Sequence, residues 1–138
     1  MRHSFKKKLD AYTLTEILVV LVIIGILVLL ALPNLMPLIT KAKSTEAKSQ
    51  LEHLHTMQRN YFYERSAYAT DLNEIGFVQE DLSTGGKDGR ANYKIEIAEA
   101  SSTSFLGRAT AVVDFDGDGI FNVWEIDQNK NLREVTAD

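Results

Sequence analysis

The chain is 138 residues long, enough for one small domain and an appendage. It carries a net charge of −4 at pH 7 and no cysteine, so a disulfide framework and a cysteine-based metal site are excluded. Residues 1–11 hold Arg2, Lys6, Lys7 and Lys8 against Asp10, and no bulk of positive charge follows them, which argues against a nucleic-acid binder.

The first element is the stretch "LTEILVVLVIIGILVLLALPNLMP", Leu14 to Pro37. From Ile17 to Leu32 it holds sixteen residues without a charged or strongly polar side chain. A helix rises about 1.5 Å per residue, so this run spans roughly 24 Å, and its flanks from Tyr12 and to Leu38 make it long enough for a bilayer. The lysines lie on one side only, which keeps them in the cytoplasm and sends the rest outward. Three readings are open. A secretory signal peptide would have a basic start and an apolar run, but this run is long and lacks a small-x-small cleavage site before Pro33. A plain membrane anchor leaves Glu16 as a carboxylate at the headgroups. A cleaved helix that later leaves the lipid to pack with copies of itself gives Glu16 a role.

The segment "KKKLDAYTLTEILVVLVIIGILVLLALPNL" resembles the N-terminus of type IV pilins and of the pseudopilins of type II secretion. The resemblance implies a leader, residues 1–11, cut after the small residue Ala11 by a prepilin peptidase that methylates the new N-terminus at Tyr12. It implies that Glu16 follows at the family's glutamate position. Gly25 and Pro33 fall where the family places a helix-loosening glycine and a proline. Alanine stands for the usual glycine before the cut, and tyrosine for the usual phenylalanine. The physical logic agrees with this reading. A free amine on Tyr12 could approach Glu16 of a neighbouring subunit, and opposite charges in a low-dielectric setting attract strongly. Pro33 lacks an N–H and clashes with the preceding turn, while Gly25 weakens the helix further.

Residues 12–38 are thus the expected transmembrane and filament-core helix, and 39–65 its amphipathic continuation. Leu51, Leu54, Met57 and Tyr61 recur at helical spacing, with Ala47 a turn earlier, and charges of both signs fall between them. His53 and His55 face different sides and do not suit a shared metal. Residues 66–90 read as a connecting loop, in which Asp71 and Glu74 open a short helical turn that Gly76 ends. Strands follow within 91–138. "NYKIEIA" alternates, and "FLGRATAVV" carries the small residues of a central strand under a helix. "FNVWEID" puts Trp124 and Ile126 on one face and Val123 and Glu125 on the other. "NLREVT" is its partner across the turn Gln128–Lys130. The expected fold is α+β: a long N-terminal helix packed on a four-stranded antiparallel sheet.

Within that sheet, "DFDGDGIFNVWE" spaces Asp114, Asp116, Asp118, Gly119, Ile120, Asn122 and Glu125 at places 1, 3, 5, 6, 7, 9 and 12 of a calcium loop. Alternate aspartates and a backbone carbonyl supply the hard oxygens that Ca2+ prefers, and the glycine allows the turn. Strand-like flanks are wrong for an EF-hand, and the competing reading is a solvated acidic turn. A structural Ca2+ held by Asp114, Asp116, Asp118, Ile120, Asn122 and Glu125 is the expectation. Some pseudopilins, by resemblance, hold a calcium in this region.

The expected function is a structural one: a subunit of a type IV pilus-like extracellular filament, made as an inner-membrane precursor. The partners so implied are other copies in a helical homo-oligomer, the prepilin peptidase and an inner-membrane assembly machinery. The alternative is a periplasmic pseudopilin of type II secretion, which the acidic loop favours and the absence of a "DPWG"-like stretch disfavours. An enzyme is not expected, since no nucleophile-and-base set occurs in the sheet half. A membrane-tethered binding module would predict no cut at Ala11.

Overall fold

Ridges of small side chains bring one helix close to one sheet, and the fold follows from that approach. The computed structural model of the protein describes residues 11–138. A single helix, α1 (Leu14–Arg65), is followed by a short 3-10 turn (Leu72–Ile75) and four strands: β1 (Tyr93–Ala100), β2 (Phe105–Ala111), β3 (Val123–Asp127) and β4 (Leu132–Thr136). All neighbours are antiparallel and lie in chain order, a simple meander. The chain divides into two compact units, one ending at Leu35 and one comprising Met36–Asp138.

In the first unit, α1 begins at Leu14 and continues without a break through Gly25 and Pro33. Its apolar side chains, Ile17 to Leu32 among them, are exposed. It is the one helix among the described residues that is long and apolar enough to cross a membrane.

In the second unit, α1 turns one stripe inward: Thr40, Ser44, Ala47, Leu51, Leu54, His55 and Gln58. Leu51 and Leu54 meet Tyr93, Ile95, Phe105, Ala109, Ala111 and Ile126 from the sheet. The alternation in β2 is strict, with Phe105, Gly107, Ala109 and Ala111 facing the helix. Trp124 and Ile126 join the core from β3 as the alternation requires. Met57 and Tyr61 sit at the margin of the stripe, and the buried place one turn on from Leu54 goes to Gln58.

Polar side chains fasten the long connection between α1 and β1. Gln58 donates to the Ala69 carbonyl and accepts from the Ala69 amide, both at 2.9 Å. Glu46 receives the backbone and side-chain N–H groups of Asn92 at 2.8 and 2.7 Å. Gln79 accepts from the Ile95 amide and donates to the Tyr93 carbonyl, so its amide takes the place of a fifth strand along β1. Asp71 caps the 3-10 turn by accepting from the Asn73 amide, and Gly76 ends it at φ 70°. Glu74 does not complete the capping box; its carboxylate accepts from Tyr61 and Thr70 instead.

The outer face of the sheet carries a charge ladder. Glu96, Arg108, Glu125 and Arg133 are direct cross-strand partners from β1 to β4. Arg108 reaches Glu125 at 2.8 Å and Glu96 at 3.8 Å, and Arg133 reaches Glu125 at 3.0 Å. Signs alternate along the ladder, so every neighbour is attractive.

A test of the helix–sheet approach lies at Gly107. A Cβ there would stand 2.6 Å from Leu54 Cδ2 and 3.2 Å from Ile126 Cγ2. Both side chains are fully buried and have no room to give way. Gly107→Ala should therefore cost about 1–3 kcal/mol and lower Tm by roughly 5–15 °C, read by thermal melting of the full chain in detergent.

Candidate functional site

Two places carry chemistry beyond the fold: the head of α1 and the acidic loop between β2 and β3. Ala11, Tyr12 and Thr13 precede the helix and are exposed, with Tyr12 at 83%. The Ala11–Tyr12 bond therefore lies in accessible, non-helical chain next to a stable helix, the local geometry that proteolysis requires.

Glu16 has a local partner that the sequence reading passed over. Its carboxylate accepts the Thr13 amide at 2.8 Å, and the Thr13 hydroxyl accepts the Glu16 amide at 3.3 Å. This is a reciprocal capping box that satisfies donors a helix start leaves unpaired. The signal was in the sequence as Thr-x-x-Glu, directly before the apolar run. The carboxylate also favours the positive end of the helix dipole. Gly25 has open space about its α-carbon. Pro33 deprives the Leu29 carbonyl of its usual donor, and the next side chain, Asn34, donates to Leu30 O at 3.2 Å.

In the acidic loop, carboxylates grip backbone amides. Asp114 accepts from Gly117 at 2.6 Å and from Gly119 at 2.7 Å. Asp116 accepts from Asp118, and Asp118 from Ile120. Gly117 and Gly119 sit at φ 84° and 88°, where other residues are strained. Asp138, far along the chain, enters the same loop and accepts from Phe115 and Asp116. Ligand oxygens of Asp114, Asp116 and Asp138 lie within 4.8 Å of one another. The amides of Gly119 and Gly117 hold the Asp114 carboxyl below its ordinary range. At Asp116 the Asp118 amide favours the charge, but partial burial and the charges of Asp118, Asp138 and Asp114 outweigh it and push the carboxyl up. Crowded like charges of this kind are what a bound cation relieves. Three carboxylates offering only oxygen suit a hard divalent ion such as Ca2+.

The other residues of the twelve-place pattern go elsewhere. Asp118 and Ile120 lie outside that group of three. Asn122 is fully buried. It accepts from the Tyr93 hydroxyl and from Trp124 Nε1 at 2.7 Å, and donates to Glu134 at 2.6 Å and to the Thr136 carbonyl at 2.9 Å. All its hydrogen-bonding capacity is used within the fold. Burial, with the charges of Glu46, Asp138 and Glu134, holds the Tyr93 proton in place as a donor. Glu125 belongs to the charge ladder on the outer face of β3, where the strand carries it away from the loop. The sequence reading missed Asp138 because nothing local joins it to the loop.

The described chain thus combines an exposed, capped helix head, an apolar helix long enough to cross a membrane and a sheet unit with a tethered acidic loop. The family described as "Prokaryotic N-terminal methylation motif" matches residues 7–32. The chain is 36% identical over 99 residues to the type IV major pilin protein PilA of Myxococcus xanthus, covering 71% of this chain and 42% of that protein's length. It is 27% identical over 132 residues to a fimbrial protein of Pseudomonas aeruginosa, covering 84% of this chain and 85% of the relative. The chain is thus similar to type IV pilins, most specifically in the methylation motif of its apolar N-terminal segment.

Glu125 gives a test of how much the ladder stabilises the sheet. Burial raises its pKa, but hydrogen bonds from Arg108 and Arg133, and their charges, outweigh burial and hold it below 4.5. A depressed folded-state pKa stabilises above the unfolded value, and that gain is lost as pH falls through the folded one. Glu125→Gln should cost about 1–2 kcal/mol at neutral pH. Urea unfolding should find the gap between variant and parent closing well below pH 4.5.

Proposed function

We propose that this protein is the structural subunit of a type IV pilus-like extracellular filament, made as a precursor and cleaved after Ala11. The observation that carries the proposal is the capped, exposed apolar helix of α1 preceded by an exposed Ala11–Tyr12 junction, within a motif shared with known pilins. In the precursor the lipid covers the apolar side chains. After cleavage the same surface is covered by copies of the helix, and the chain has gained a cationic amine at Tyr12.

Glu16 then has two uses. In a single chain it closes the capping box with Thr13. In a filament it is the acceptor for the Tyr12 amine of a neighbour, which aligns an arriving subunit. A carboxylate has enough lone pairs to serve both. The partners proposed are further copies of this chain, a prepilin peptidase that cuts and methylates at Tyr12, and an inner-membrane assembly machinery. Gly25 and Pro33 are the positions at which the packed helix is easiest to bend. A periplasmic pseudopilin would use the same head, but similarity to a type IV major pilin and a fimbrial protein favours a surface fibre.

We also assign a structural Ca2+ to the acidic loop, held by Asp114, Asp116 and Asp138. It would neutralise the crowded carboxylates and tie the residue 138 end of the chain to the β2–β3 loop.

The filament reading is tested by electron microscopy of sheared surface material, which should contain fibres of this chain that vanish on its deletion. A defect confined to protein secretion, without fibres, would contradict it. Glu16→Gln isolates the charge, because glutamine still closes a capping box. Its fibre yield should fall by roughly tenfold or more, as expected from losing a charge-assisted hydrogen bond, while its level in the membrane stays unchanged. The metal reading predicts a lower Tm in chelator, restored by added Ca2+, with Asp138→Asn insensitive to both.

A further inference from the structure

A second cleft, apart from the acidic loop, is built of aromatic rings and unpaired cations. It lies in the second unit, between the later turns of α1, Tyr68 and the β3–β4 turn, and has a volume of about 290 Å³. Its walls include Arg59, Phe62, Tyr63, Tyr68, Asn129 and Lys130, and no carboxylate lines it. Phe62 and Tyr68 stack at 4.7 Å, which makes a firm floor. Arg59 donates to the Tyr63 hydroxyl at 3.1 Å and so is held toward the opening. Among the described residues, the ion pairs involve only Arg108 and Arg133 as cations, so neither Arg59 nor Lys130 is neutralised.

Lys130 adds an independent sign. It holds φ 64°, the left-handed conformation. At the last place of a three-residue hairpin loop, glycine is the least strained choice. A lysine kept in a strained backbone at the rim of a cleft points to a function for its charge.

The complementary surface is on the same chain. The acidic loop, Asp114 to Asn122, carries three aspartates and no lysine or arginine, and Asp118 lies outside the carboxylates assigned to Ca2+. Its tip presents exposed Ile120 and Phe121 beside Asp118. Loop and cleft leave opposite ends of β3: one joins β2 to β3 and the other joins β3 to β4. Along the helix they are also far apart. Asp138, which grips the loop, shares a groove with Lys41, whereas the cleft is walled by Arg59. Those two helix positions are about 27 Å apart at 1.5 Å per residue. A loop so placed cannot enter its own cleft.

Two different, complementary patches at opposite ends of one subunit suit a heterologous contact, which repeats head to tail and gives an open helical assembly when its rotation does not close a ring. We propose that in the filament the acidic loop of one copy seats in the Arg59–Lys130 cleft of another copy, with Phe121 against the aromatic floor and Asp118 facing the cations. This rests on the filament reading and adds the sheet units to the helices as a source of cohesion. Ion pairs in such an interface also fix register and exclude wrong partners.

The absence of cysteine makes the contact directly testable in the full chain. Phe121→Cys and Asn129→Cys together, in assembled filaments treated with a short thiol cross-linker, should give a ladder of dimers, trimers and higher species. Either substitution alone should give none. Filaments that form normally but yield no ladder would overturn the contact and leave the filament reading intact, whereas no filaments from the unmodified chain would overturn both. A charge exchange covers the case of a double-cysteine chain that does not assemble. Lys130→Glu should lower fibre yield severalfold, and Asp118→Lys in the same chain should restore it; a loss without recovery overturns the proposal. Unchanged fibre yield in Lys130→Glu, with loss of binding to an added acidic oligosaccharide or oligonucleotide, would assign the cleft to that occupant and also overturn it.

Discussion

The apolar half of α1 has more hydrophobic surface than its own unit covers. Side chains from Ile17 to Leu32 stand exposed, and water is not a tolerable solvent for so large a contiguous patch. Lipid or other helices must supply the cover. This requirement governs the rest of the protein. In the proposed life of the subunit, the segment would sit in a bilayer and then in a protein core, while the second unit keeps its own core covered. The second unit meets this by burying its own stripe from Thr40 to Gln58 against a sheet whose outer face is charged and self-neutralised.

Glu16 links the two surroundings. A carboxylate at the head of an apolar helix is costly in isolation. The capping box with Thr13 provides a hydrogen-bonded home for it before assembly, and the helix dipole favours its charge. The proposed cleavage after Ala11 would then create a cation one residue upstream of Thr13. The proposed ion pair across subunits is therefore an addition to an existing hydrogen bond rather than the rescue of a stranded charge. The sequence suggests a misplaced carboxylate; the local geometry makes it a helix cap, to which the proposed assembly contact would be added.

The order of elements, the four strands and their facing residues were legible in the sequence, because alternation in β1 and β3 and helical spacing in α1 are local patterns. In Phe105–Val113 the alternation is blurred in the sequence, and only its small residues pointed to a central strand under a helix; the face formed by Gly107, Ala109 and Ala111 emerges in the structure. What escaped was non-local. Glu125 fits place 12 of a calcium loop by counting, yet strand register sets it between Arg108 and Arg133. Asn122 fits place 9, yet its burial commits it to Tyr93, Trp124, Glu134 and Thr136. Asp138 joins the loop only once β4 has folded back beside β3. The Gln58, Gln79 and Glu46 clamps on the connecting loop were likewise invisible, since one polar side chain on a helix or loop does not announce its distant backbone partner. The Thr13–Glu16 box was local and legible, and was overlooked because the family pattern had already given Glu16 a role.

The central proposal is one change of state: a helix that begins as a lipid-spanning segment with a leader and ends as a fibre core with a free amine. Intact-mass and N-terminal analysis of the subunit recovered from sheared filaments tests it most directly. A single species beginning at a methylated Tyr12 is the expected result. A filament subunit retaining Met1, or cut at any bond other than Ala11–Tyr12, would contradict it.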